Sequence, residues 1–127
     1  MPRPAKKAKA EACLVDESGK IPVTSVSRLV RLKVAGMDKA VEAQEILKKI
    51  HDAVKEEKVK GFVGATRFVC LEHFDFDFFL RFKDLDSFKA YAESEFAKEK
   101  IDPLLEQLKP LAVDGKVHLQ AFVTDEW

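Results

Sequence analysis

The ten residues from His73 to Phe82, HFDFDFFLRF, constrain the fold more than any other stretch of the chain. Phe74, Phe76, Phe78, Leu80 and Phe82 recur at every second position, and Asp75, Asp77, Phe79 and Arg81 stand between them. Successive side chains of a strand point to opposite faces, so this period of two specifies a strand with one aromatic face and one mixed face. A phenylalanine stripe of that period is core, and it needs another layer to lie on it.

The rest of the chain supplies that layer and three more strands. In SVSRLVRLKV, Val26, Arg28, Val30, Leu32 and Val34 share one face, and Ser27, Leu29, Arg31 and Lys33 share the other. Gly36 breaks this strand, and Asp38 is expected to cap a helix of about five turns. Val41, Ile46, Leu47, Ile50, Ala53 and Val54 form its apolar stripe at three-and-four spacing. Gly61 closes the connection, and GFVGATRFVCL reads as a second strand rich in β-branched and aromatic residues. After the phenylalanine strand, Asp84 caps a second helix whose buried stripe is Leu85, Phe88, Tyr91, Ala92 and Phe96. A further short helix starts at Asp102-Pro103, proline being favoured at a first helical position, and Pro110 ends it. Asp114-Gly115 marks a turn and VHLQAFVT the last strand. The order β-α-β-β-α-β gives an α+β, ferredoxin-like fold: one antiparallel sheet with both helices on one face.

A chain of 127 residues suits one domain. Residues 1–20 hold two prolines and few apolar groups and read as a flexible basic tail; residues 21–127 form the domain. The Lys6-Lys7-Ala8-Lys9 run leaves a nuclear address open, with a solvated tail as the favoured reading, and Cys13 to Val15 could add a short edge strand. Lysine plus arginine equal aspartate plus glutamate at 22 each, which argues against a dedicated nucleic-acid binder. No apolar run approaches the ~20 residues of a membrane helix. Cys13 and Cys70 are far apart without a paired motif, so free thiols, a reducing compartment and a cytoplasmic location are expected. His51, His73 and His118 fall at no zinc-ligand spacing, so neither a metal nor a cofactor is expected.

A monomer could make the second sheet face fully polar. Here it carries Leu29 and Phe79, with either Phe62 and Phe68 or Val63 and Val69 from the second strand, interleaved with Arg31, Lys33, Asp77 and Arg81. Such a face suits packing on a second sheet, and a second copy of the chain is the simplest partner.

Three segments, SRLVRLKV, FDFDFFLRFKDLDSFKAYAES and PLLEQL, together resemble the stress-responsive A/B-barrel (dimeric α/β-barrel) family over roughly residues 23–123. The resemblance implies a homodimer or larger assembly whose two sheets form a barrel. The family includes non-enzymatic stress proteins and a polyketide cyclase. Histidines of the cyclase-like members fall on Arg28, on Phe76 and, in a His-Pro-x-His stretch matching Ser94-Glu95-Phe96-Ala97, on Ala97, while the helix tyrosine is retained as Tyr91. Tyrosine alone, with a reference pKa near ~10, is a poor base at neutral pH. The resemblance therefore points to a non-catalytic member, with a polyketide-cyclase-like or monooxygenase-like enzyme as the alternative.

Arg28 shares a face with Val26, Val30 and Leu32, where a charge must be paired or reach solvent. An ion pair near the strand end is the favoured reading. The alternative is a pocket between helices and sheet for a small hydrophobic or anionic ligand, lined by Arg28, Phe76, Phe78, Tyr91 and Phe96. Asp75 and Asp77, too loosely held for a metal, are expected to pair with Arg81 or with a partner sheet. His118 could face that seam.

Overall fold

The computed structural model describes residues 22–125. The basic tail and the strand expected at Cys13 to Val15 lie outside these residues. The first strand, β1, runs Ser25–Lys33, followed by helix α1 (Met37–Glu57), β2 (Phe62–Val69), β3 (Asp75–Phe82) and helix α2 (Leu85–Ala92). A π-helical turn (Ala97–Ile101) leads into helix α3 (Asp102–Leu108), a 3-10 turn (Lys109–Leu111) and β4 (His118–Thr124). All pairings are antiparallel in the order β2-β3-β1-β4, which places β3 and β1 at the centre. The fold is the expected ferredoxin-like one.

One face of the sheet and the helices enclose the core. From β1 come Val26, Val30 and Leu32; from β3 come Phe76, Phe78, Leu80 and Phe82; against them lie Leu47, Ile50 and Val54 of α1 and Phe88 and Tyr91 of α2. The buried side of α1 is turned slightly from the expected stripe. Ala40 and Ala43 face inward, whereas Val41 is 50% exposed. Gly36, rather than Asp38, occupies the N-cap; Asp38 sits in the first turn, where a carboxylate complements the helix dipole. At α2 the Asp84 carboxylate accepts from the Ser87 amide at 2.8 Å, a side-chain N-cap as expected.

β2 departs from strict alternation. Phe62 pairs with Phe82 and Gly64 with Arg81, so Val63 is an extra residue in a bulge. Phe62 therefore faces the helices and Phe68 the opposite side. Both expected sets for this strand assumed unbroken alternation, and neither describes it.

Candidate functional site

Two regions combine exposed or unpaired groups with shape: the space between the sheet and α2, and the sheet face that the helices leave uncovered.

In the first, β1 and α2 bring Arg28 and Tyr91 together. The Arg28 guanidinium carbon lies 4.9 Å from the centroid of the Phe88 ring, a cation–π geometry. Among the described residues no carboxylate stands within 4.0 Å of it, so the expected ion pair is replaced by an aromatic stack. Burial draws the guanidinium below its ordinary pKa, and nearby Tyr91 works in the opposite direction. The Tyr91 ring packs on Phe82 with centroids 5.0 Å apart. Burial pushes its hydroxyl up to about 12, with Arg28 opposing the rise and Asp102 adding to it. At neutral pH this group is a phenol, able to donate a hydrogen bond and unable to act as a base.

A cavity of about 70 Å³ opens beside these two residues, lined also by Val30, Ile50, Leu80, Ala97, Ile101 and Asp102. A ligand pocket usually measures ~300 Å³ or more, so this cavity is far smaller than a typical ligand site. Phe76 and Phe78 do not line it; they are buried in the core opposite Leu32 and Val30 of β1. Phe96 is half-buried against the core and stands outside the lining as well.

The π turn, which sequence reasoning missed, shapes one wall through Ala97 and Ile101. It is anchored by Ser94, whose hydroxyl donates to the Tyr91 carbonyl at 2.7 Å and accepts from the Ala97 amide at 3.1 Å. Ser94 to Ala97 thus form a helix junction, and no imidazole lines the cavity.

The uncovered face is arranged in cross-strand rows. Thr66, Phe79, Leu29 and Gln120 form the central row, β2 to β4. Towards one end lies the row Phe68, Asp77, Arg31 and His118, and towards the other Gly64, Arg81, Ser27 and Phe122. Leu29, Arg31, Lys33, Asp77, Phe79 and Arg81 all share this face. Phe79 meets Phe68 edge-on at 5.9 Å and Phe122 at 6.1 Å. Leu29 is 0% exposed although it points away from the helices, while Phe68 and Phe122 remain 59% and 39% exposed. Phe122 was visible in the sequence only as an alternate residue of the last strand.

Asp77 takes the guanidinium of Arg31 in two hydrogen bonds, 2.8 and 3.3 Å, and not that of Arg81 as expected. The Asp77 contact raises the pKa of Arg31. Arg81 has no carboxylate within 4.0 Å among the described residues. Asp75 keeps one buried carboxylate oxygen without a hydrogen-bond donor. With Arg31, Lys33, Asp77, Asp114 and His118 it borders a hollow of about 440 Å³ at the end of the face. His118 approaches Asp114 at 3.5 Å. No three histidine, cysteine, aspartate or glutamate side chains among the described residues converge on a point a metal could occupy.

No protein-family model and no curated protein sequence matches the chain. Solved structures do. The cofactor-independent oxygenase SnoaB of Streptomyces nogalater is similar with a TM-score of 0.62 and 15% identity, over 82% of this chain and 96% of that one. A monooxygenase of Streptomyces coelicolor, in complex with nanaomycin D, is similar with a TM-score of 0.62 and 15% identity, over 83% and 90%. A dimeric ferredoxin-like protein from an uncultured marine organism has a TM-score of 0.58 and 13% identity, over 82% and 90%. At such identities the likeness establishes the fold alone, the ferredoxin-like one. No helix among the described residues is long and apolar enough to cross a membrane.

Proposed function

We propose that this protein is a non-catalytic, stress-type α/β-barrel protein that works as a homodimer, closed by the sheet face its helices leave bare. The observation that carries this reading is the diagonal run of rings Phe68–Phe79–Phe122 beside Leu29, one ring from each cross-strand row. Apolar area is worth ~25 cal/mol per Å² when removed from water, and a monomer leaves this run in solvent. So small a helix–sheet cavity, without an imidazole, favours assembly over chemistry.

Light scattering on the purified full-length chain is expected to give twice the single-chain mass of 14.4 kDa. Phe79→Glu would place a carboxylate at the centre of the buried row and weaken self-association at least ~30-fold, the scale of an interface hot spot. A monomeric wild type, or a Phe79→Glu protein that dimerises as tightly as the wild type, would overturn the reading.

A second reading, a small-molecule enzyme of cyclase or monooxygenase type, is favoured by the unpaired Arg28 and by the two oxygenases among the similar folds. Arg28 would hold a substrate anion and Tyr91 would donate to it. Arg28→Ala separates the readings. Loss of the Phe88 stack alone is expected to cost about 0.5–1 kcal/mol in a denaturation curve and to leave any bound small molecule in place. Loss of a co-purifying adduct from the native mass spectrum of this variant would establish the pocket instead.

A further inference from the structure

Resting on the homodimer reading, we propose a specific pairing: the two sheets stack with strands reversed, so that Arg81 of each copy meets the partner's Asp77. The inference comes from the order of groups along the bare face. Along β3 that order is Asp75, Asp77, Phe79, Arg81, acid at one end, base at the other and a phenyl ring between. Along β2, Phe68 stands at the acidic end and Gly64, without a side chain, at the basic end.

Take a two-fold axis running across the strands along the uncharged row Thr66, Phe79, Leu29 and Gln120. Rotation about it lays each terminal row of one copy on the opposite terminal row of the other. Phe68 then lies over the partner's Gly64, Asp77 over the partner's Arg81, Arg31 over the partner's Ser27, and His118 over the partner's Phe122. No like charges face one another, and each pairing is made twice, as an isologous interface requires. Stacked sheets lie ~10 Å apart, a gap that an arginine side chain can bridge.

A two-fold axis parallel to the strands would instead set Asp77 against the partner's Arg31. That arrangement duplicates a contact each chain already makes internally. It also leaves Arg81 over the partner's Ser27, still without a carboxylate. Arg81 decides in favour of the reversed pairing.

The test uses Arg81→Glu and Asp77→Lys in the full-length chain, with sedimentation measured for each variant alone and for their equimolar mixture. Each homodimer sets like charges together twice, so each variant alone is expected to self-associate at least about tenfold more weakly than the wild type. In the mixed dimer the introduced glutamate meets the introduced lysine at one seam, and Arg81 meets Asp77 at the other. The mixture is therefore expected to dimerise with near wild-type affinity. Thermal unfolding of each variant checks that the monomer fold survives. If Asp77→Lys weakens the dimer and Arg81→Glu does not, the parallel-axis pairing is correct and this one is overturned. If both variants dimerise like the wild type, or if the mixture stays monomeric, the pairing is overturned while the homodimer reading stands. A monomeric wild type would remove both.

Discussion

Phe82→Ala is expected to lower folding stability by about 3–5 kcal/mol, the range for deleting a buried phenyl ring. Phe82 is 0% exposed and stands where three elements converge. Its ring meets Phe62 of β2 at 5.9 Å, Phe88 of α2 at 6.0 Å and Tyr91 of α2 at 5.0 Å. Its backbone lies opposite Val26 on one side and Phe62 on the other. Alanine leaves a space that none of these rings can fill without giving up another contact. Because Tyr91 and the Arg28–Phe88 stack rest on the same ring, the cavity beside them should open as well. Urea titration at one fixed chain concentration checks this, since self-association shifts the apparent midpoint. A loss below ~1 kcal/mol would mean that the site collapses around the deletion.

Gly61→Ala is expected to be nearly as damaging, at about 2–5 kcal/mol, for two additive reasons. The residue has φ +84°, a conformation that costs a side-chain-bearing residue ~1–2 kcal/mol. A methyl group built there would also run into the Ser87 side chain, buried in the first turn of α2, and overpacking adds about 1–3 kcal/mol. Neither clash can be relieved cheaply. The Gly61 carbonyl accepts from the Lys83 amide at 2.8 Å, and Ser87 is held by the hydrogen bond its amide donates to the Asp84 carboxylate. A companion Ser87→Gly change should recover the overpacking part and not the backbone part. The two contributions can therefore be separated by urea titration of the single and double variants.

Where a local pattern alone determines a residue's environment, the sequence was sufficient to read it. β3 is the clearest case: Phe76, Phe78, Leu80 and Phe82 form the inner face of the strand as their alternation requires, while Phe74, the first of the stripe, precedes the strand and is only partly buried against the core. The Asp84 cap and the proline-led start of α3 are equally local. The departures arise where the outcome depends on a neighbour. Asp38 is a good capping residue, yet Gly36 takes that place because the chain leaves β1 in extended conformation at that point. The π turn leaves no mark on composition, since Ala97 to Ile101 would suit an ordinary helix as well. Asp77 pairs with Arg31 rather than Arg81 through cross-strand register, which a single strand does not encode. Arg28 was recognised as a charge among apolar residues, but its stacking on Phe88 depends on how α2 crosses the sheet.

The extra residue at Val63 has a further consequence for how β2 tolerates change. In a regular strand, a one-residue deletion turns every later side chain over. In β2 the frame already shifts once, between Phe62 and Gly64. The even-numbered positions address the helices before that point and the uncovered face after it. Removing Val63 would bring Phe62 next to Gly64 and straighten the strand, with Phe62 still turned inward and Phe68 still turned outward. Removing Thr66 instead would turn Phe68 towards the helices and take its ring out of the exposed row. The strand therefore holds one spare residue, and the chain can lose length there without any side chain changing layers.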